Sequence, residues 1–382
     1  MFKKLKLAIA VAILFCSQEA YANQEKFLSF SDIHFNPFAS CTLIAFKPCP
    51  QAIELQKAPV SQWQAILEQY DGKAIIGYGH DTNYALLKVS LAEIKKVSQT
   101  DHPYFALLLG DFLAHSFRAQ YILNTHDHSK SGYEAFVAKT VIFLTQEIKQ
   151  TLPNISVFPA VGNNDSYTGD YSVVPQGKFL QDTGSTWATL IKNKNNQESF
   201  LRDFHQAGFY SVKVGANNII VLDTVLFSHR AKTPEKKAAA LKQLTWLDRQ
   251  LSIATRQNQK VLLAFHIPVG ADFPRSMHIF FSKTQEFWLP EYKQRLRQIL
   301  LKFPLTVTAM LVGHVHRDTI HVLGINMPNA VPVSLTPSIS PIFGNNPGFN
   351  VYSFDVKTFK LGNVDEYTLP LDRSSAEWEK KS

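Results

Sequence analysis

Short apolar runs that stop at polar residues recur along the chain. Phe27 to Ile33 carries Asp32 and His34 at its end, and Tyr104 to Leu109 runs into Gly110-Asp111. Ile155 to Val161 runs into Gly162-Asn163, Asn218 to Leu222 into Asp223, Lys260 to Phe265 into His266, and Thr306 to Val312 into Gly313-His314. Each run is short, often β-branched or aromatic, and bounded by turn residues, which predicts buried strands. Thr319 to Leu323, Val331 to Leu335 and Phe349 to Phe354 predict more strands toward the C-terminus. Between them lie amphipathic segments with helical spacing: Tyr84 to Gln99, Tyr133 to Lys149, Lys236 to Arg256 and Leu289 to Leu301. In the third of these Ala240, Leu244, Leu247 and Leu251 share one face. Strands alternating with helices indicate an α/β protein whose helices cover its sheets. No internal repeat and no Pro/Ser-rich linker interrupts the pattern, so residues 23–382 read as a single domain.

The polar residues matter because of where they sit. In open α/β sheets, ligands bind beyond the carboxyl ends of strands. Five such ends here carry Asp32-x-His34, Gly110-Asp111, Gly162-Asn163-Asn164-Asp165, His266 and Gly313-His314-Val315-His316. Carboxylate, amide oxygen and imidazole are ligands for zinc, manganese or iron. The absence of thiolate from the set argues against a structural zinc finger. A histidine after one strand is by itself more often a core residue than a ligand. Five such ends in this order are a far more specific signal than any one.

Composition adds a compartment. Lys3, Lys4 and Lys6, the apolar run Leu7 to Phe15 and the small-x-small stretch Ala20-Tyr21-Ala22 read as a secretory signal peptide over residues 1–22, cut after Ala22. The run is too short to span a bilayer, and no later stretch is long and apolar enough for a transmembrane segment. The expected location is therefore secreted or periplasmic. Cleavage removes three Lys and one Glu, so a formal charge of +8 becomes +6. Without a dense basic run, that surplus gives no reason to expect nucleic-acid binding. Only Cys41 and Cys49 remain, either as one local disulfide, as an oxidising compartment favours, or as two free thiols.

The order Asp-x-His, Gly-Asp, Gly-Asn-x-Asp, His, Gly-His-x-His resembles that of the calcineurin-like metallophosphoesterases, over residues 32 to 316. The resemblance implies a four-layer αββα sandwich of two mixed β-sheets flanked by helices. It implies that Asp32, His34, Asp111 and His316 hold one divalent cation, that Asn163, His266 and His314 hold a second, and that Asp111 bridges both. Zinc suits that ligand set in a secreted setting, with manganese or iron as alternatives. A water activated between the ions attacks phosphorus in line with the leaving group.

Several stretches are similar to the acid sphingomyelinase-like branch of that family. They are His115 four residues after Asp111, Gly77-Tyr78-Gly79-His80-Asp81-Thr82, Gly208-Phe209-Tyr210-Ser211-Val212, and Thr336-Pro337-Ser338-Ile339-Ser340-Pro341 followed by Asn346-Pro347-Gly348. His115 is the candidate general acid for the leaving group. Asn164 stands where the family usually has a proton-donating His; an amide donates a hydrogen bond but gives up no proton. The implied function is cleavage of phosphodiester or phosphoanhydride bonds in nucleotide or choline-type substrates. The alternatives are a sphingomyelin or other lipid phosphodiesterase, an endopolyphosphatase, or an inactive metal-binding homologue. Partners are then phosphate-bearing small molecules or lipid head groups. His126-Asp127-His128 reads as a solvated loop, and Phe273, Phe280, Phe281 and Trp288 as either a substrate groove or a hydrophobic wall.

Overall fold

All nine apolar runs fold as strands, and three further strands join them. A computed structural model describes residues 24–42, 47–271, 286–324, 330–373 and 377–381. Residues 1–22, Phe273, Phe280 and Phe281 lie outside these residues. In chain order the strands are β1 (Gln24–Phe30), β2 (Phe105–Leu108), β3 (Ser156–Pro159), β4 (Tyr210–Val214), β5 (Asn217–Leu222) and β6 (Val261–Phe265). They continue as β7 (Val307–Val312), β8 (Thr319–Leu323), β9 (Val331–Leu335), β10 (Gly348–Asp355), β11 (Leu361–Thr368) and β12 (Glu379–Lys381). They form two six-stranded sheets with orders β12-β11-β10-β1-β2-β3 and β4-β5-β6-β7-β9-β8. Helices flank both sheets, and the layering is the αββα sandwich implied by the sequence.

Both sheets are mixed, and the parallel part of each positions the site. β1, β2 and β3 pair in parallel, as do β5, β6, β7 and β9. Parallel strands point their carboxyl ends to one edge of a sheet, and burial on both faces makes them continuously apolar. Phe105–Leu108 and Val261–Phe265 are buried at every position. One contiguous apolar cluster includes residues from both sheets. Polar ties cross between the sheets as well: the Ser29 and Thr336 hydroxyls pair at 2.6 Å, and the Tyr210 hydroxyl donates to the Pro159 carbonyl at 2.8 Å.

The four predicted helices run Tyr84–Asp101, Lys130–Thr151, Pro234–Arg256 and Pro290–Lys302. Their starts are written locally. Asn83 accepts from the Leu86 N–H at 3.0 Å, and Thr233 precedes Pro234 at the first helical position. Ala240, Leu244, Leu247 and Leu251 are all fully buried. Helices Pro50–Lys57, Trp63–Asp71, Phe117–Thr125, Lys178–Ala188 and Lys194–Ala207 add to those four. Cys41 and Cys49 are joined as a disulfide.

Candidate metal centre

The chain turns sharply at the strand ends, and the candidate ligands sit in those turns. Asp32, His34, Asp111, His314 and His316 have φ of +51°, +43°, +56°, +73° and +60°. Non-glycine residues rarely adopt this left-handed region, so five of seven candidate ligands carry backbone strain that the surrounding fold maintains. Backbone bonds tie the turns together: the Asp32 N–H donates to Gly110 at 3.0 Å, His34 to Asp111 at 2.9 Å, and Gly313 to His266 at 3.0 Å. A Cβ on Gly162 would lie 2.1 Å from the Asp111 amide nitrogen and from its Oδ1, and one on Gly313 would lie 2.1 Å from Ser31 Oγ. These two loops close only with glycine.

Of three groups of donor atoms among the described residues, two consist wholly of candidate ligands, Asp32, His34 and His316, and Asp111, His266 and His314; the third joins His34 to Asp81 and His115. In the first, Asp32 Oδ1 lies 3.3 Å from His316 Nε2 and 3.6 Å from His34 Nε2, and those nitrogens are 3.2 Å apart. Asp32 Oδ2 is occupied by the Ser31 hydroxyl and the His314 N–H, whereas buried Oδ1 has no hydrogen bond. The second group contains His266 Nε2, 3.3 Å from Asp111 Oδ2 and 3.0 Å from Asn163 Oδ1. Asp111 Oδ2 is also 3.4 Å from His34 Nε2, so one carboxylate faces both groups. The Nδ1 atoms of His34 and His266 meet the Leu113 and Leu109 carbonyls at 3.1 and 2.7 Å, which turns each Nε2 inward.

Electrostatics agree with this placement. Burial works to raise the Asp32 pKa, but His316 and His266 outweigh it and hold the carboxyl well below its usual range. Asp111 behaves alike, its burial overcome by His266 and His34. Burial works to lower His34 and His266, yet Asp111 first and then Asp32 raise them to about 9 and about 10. Burial and the neighbouring His266 push His314 down to about 3. Two anionic carboxylates, an orphaned carboxylate oxygen and imidazole nitrogens turned toward one another form a donor set that suits divalent cations.

Both non-ligand candidates have defined contacts. His115 Nδ1 is 2.9 Å from Asp81 Oδ1, and its backbone N–H donates to Asp81 Oδ2 at 2.9 Å. The imidazole stacks on His34 with centroids 4.1 Å apart, and its side chain is 34 % exposed, so a substrate can reach it. Asn164 is nearly buried and turned toward Asp111. Its backbone N–H donates to Oδ1 at 2.8 Å and its amide to Oδ2 at 2.9 Å. Trp288 is 1 % exposed, donates to the Ile267 carbonyl and packs on Phe227, so it belongs to the wall and not to a groove. Asp127 accepts from the Tyr121 hydroxyl and the Ser129 N–H between two helices, a turn-stabilising role.

Sequence reasoning assigned no part to four acidic residues. Asp81 sits in residues 77–82, a stretch similar to the acid sphingomyelinase-like branch, and that similarity is its signal. Asp165 closes the turns by accepting from the backbone N–H groups of Asp111, Phe112, Leu113 and Gly162 at 2.8–3.2 Å. Burial and the nearby Asp111 carboxylate raise it to about 6. Asp223 carries the same strand-end signal as the candidate ligands but no motif, and Asp170 carries neither.

A family model for the calcineurin-like phosphoesterases matches residues 25–318, and the chain belongs to that family. Its curated relatives give the branch. It is 27 % identical over 378 residues to a sphingomyelinase phosphodiesterase D of Dictyostelium discoideum, spanning 94 % of this chain and 78 % of that protein. It is 25 % identical over 376 residues to the acid sphingomyelinase-like phosphodiesterase 3b of Homo sapiens, covering 94 % and 74 %. With a cyclic GMP-AMP phosphodiesterase of Homo sapiens it shares 28 % over 253 residues, 64 % of this chain and 53 % of that protein. The protein is a phosphoric-ester hydrolase of the acid sphingomyelinase-like branch.

Proposed function

We propose that the chain hydrolyses phosphodiester or phosphoanhydride bonds of nucleotide or choline-type substrates at a dinuclear centre. Asp32, His34, Asp111 and His316 hold one cation and Asn163, His266 and His314 the other, with Asp111 shared and zinc the preferred ion. The observation that carries this reading is the placement of Asp111 Oδ2, within 3.4 Å of His34 Nε2 and 3.3 Å of His266 Nε2. Two divalent cations bound there supply an activated water and offset the charge on the phosphoryl oxygens. The chain's own residues do the rest. Asp81 engages His115 Nδ1, which leaves Nε2 to deliver a proton to the leaving oxygen. Asn164 orients Asp111 and supplies no proton, so leaving groups that need little protonation, phosphate among them, suit the site best.

Residues 1–22 act as an export signal, and residues 23–382 act as one secreted or periplasmic domain. The Cys41–Cys49 disulfide supports an oxidising compartment. No described helix is long and apolar enough to cross a membrane.

A second reading, lipid phosphodiester cleavage, draws on an apolar cavity of about 430 Å³ beside the centre. Its walls include Val269, Phe287, Val315, Leu323 and Leu335, and Phe287 packs edge-on against His314 at 5.5 Å. Sphingomyelin, ATP, a chromogenic diester and its monoester, each with and without chelator, separate these readings. Chelator-sensitive turnover of ATP or the chromogenic diester, with sphingomyelin untouched, supports the first. Preference for sphingomyelin supports the second. No turnover on any of them, with metal bound, would leave the inactive-homologue reading standing.

A further inference from the structure

Beyond the candidate ligands, a charged pair and a tyrosine close on the Asn163–His314 side of the centre. Asn163 has a terminal amide whose two ends are chemically opposite: Oδ1 can meet a cation and Nδ2 cannot. Nothing in an asparagine itself decides which end faces the centre. Here the Asn163 Nδ2 donates to Asp170 Oδ1 at 2.8 Å, and Oδ1 lies 3.0 Å from His266 Nε2. The other oxygen of Asp170 accepts from Arg230 Nη1 at 2.9 Å, and the Arg230 guanidinium lies 4.5 Å from the centroid of the Tyr171 ring. Tyr171 in turn sits with its hydroxyl 3.3 Å from His314 Nε2, and its backbone N–H donates to the Asn163 carbonyl at 2.7 Å. Its φ of +54° and the bond from Lys236 Nζ to its carbonyl at 3.0 Å show that the loop is held in this shape against strain.

We propose that Asp170, anchored by Arg230, is a positioning residue that sets the amide orientation of Asn163 and thereby determines whether the second cation binds. This rests on the dinuclear reading above. Asp170 offers Asn163 only acceptor oxygens, so the amide donates outward and its carbonyl oxygen stays turned to His266. Arg230 fixes the Asp170 carboxylate from the solvent side and stacks on the tyrosine that abuts His314. The first group, Asp32, His34 and His316, has no contact with this pair in the bonds described. Loss of the pair therefore weakens one cation site and spares the other.

The test is zinc content and zinc affinity of the full-length protein, read by elemental analysis after equilibrium dialysis, for wild type, Asp170→Ala, Asp170→Asn and Arg230→Gln. Asp170→Ala is expected to lose the weaker of two bound zincs, with its affinity down about 10–100-fold and the tighter zinc unchanged. Asp170→Asn, whose amide offers a donor as well as an acceptor, no longer dictates the Asn163 orientation and is expected to weaken the same zinc, by less than Asp170→Ala. Arg230→Gln, at a half-exposed position that leaves the core intact, shows a smaller loss on the same zinc. Two zincs of wild-type affinity in both Asp170→Ala and Arg230→Gln would overturn the positioning role. A wild type that binds no zinc, or one only, would instead overturn the dinuclear reading beneath it.

Discussion

The two sheets bring different chemistry to one edge. β1, β2 and β3 of the first end at Asp32, Asp111 and Asn163, oxygen donors, with His34 the one imidazole among them. The second ends β6 and β7 at His266, His314 and His316, all nitrogen donors. Its β5 also ends at a carboxylate, Asp223, and the contrast with the first sheet is instructive. Asp32 and Asp111 are fully buried yet held ionised, because imidazoles face them. Asp223 is equally buried, but the bond from the Val225 N–H and the charges of Lys236 and His266 do not overcome desolvation, and its pKa is raised to about 8. The same side chain at the same kind of strand end is an anion in one sheet and a neutral acid in the other. Placement relative to histidine decides, and only the pair of sheets together balances charge at the centre.

Breaking that balance gives the largest effect. Asp111→Asn removes the one carboxylate facing both imidazole groups. Zinc content and turnover should fall together to background, as read by elemental analysis beside a chromogenic diester assay. Full turnover in that variant would separate the carboxylate from the chemistry.

His115 sharpens the comparison from the rim. His115→Ala is expected to keep its zinc and to slow diesters with poor leaving groups by about 10²–10⁴-fold, with little change for a nitrophenyl leaving group. Equal losses on both would speak against proton delivery. Asp81→Asn should reproduce that leaving-group dependence at smaller size, since it acts through His115, and kcat should fall more than KM rises.

The smallest effect concerns Asp223. Between the ordinary carboxyl value near ~4 and about 8, the native chain keeps a proton that the unfolded chain releases. Stability from this residue therefore declines as pH rises through that window. Asp223→Asn should flatten the slope of urea midpoints between pH 5 and 8 relative to wild type. An unchanged slope would show that Asp223 is ionised in the fold.

Much of this was legible along the chain, for physical reasons. Strands buried on both faces, such as Val261–Phe265, are continuously apolar and announce themselves. Strand Leu361–Thr368 is half-exposed and polar, and Glu379–Lys381 is a three-residue charged edge, so neither leaves a pattern. Helix Pro50–Lys57 is only two turns long, too short for a periodic stripe to stand out. The seven candidate ligands were readable because each follows a strand. The residues that orient them were not. Asp165 serves by accepting from backbone N–H groups of two turns, Asp81 reaches His115 across 34 positions, and Arg230 meets Asp170 across 60. Such contacts exist only after folding.

The most direct test of the central claim is a zinc titration of the metal-stripped protein that follows bound zinc and diester turnover together. The account predicts that turnover climbs steeply only as the second site fills and levels off near about two zincs per chain. Turnover that is already complete in the metal-stripped protein, or that ignores bound zinc throughout, would contradict it.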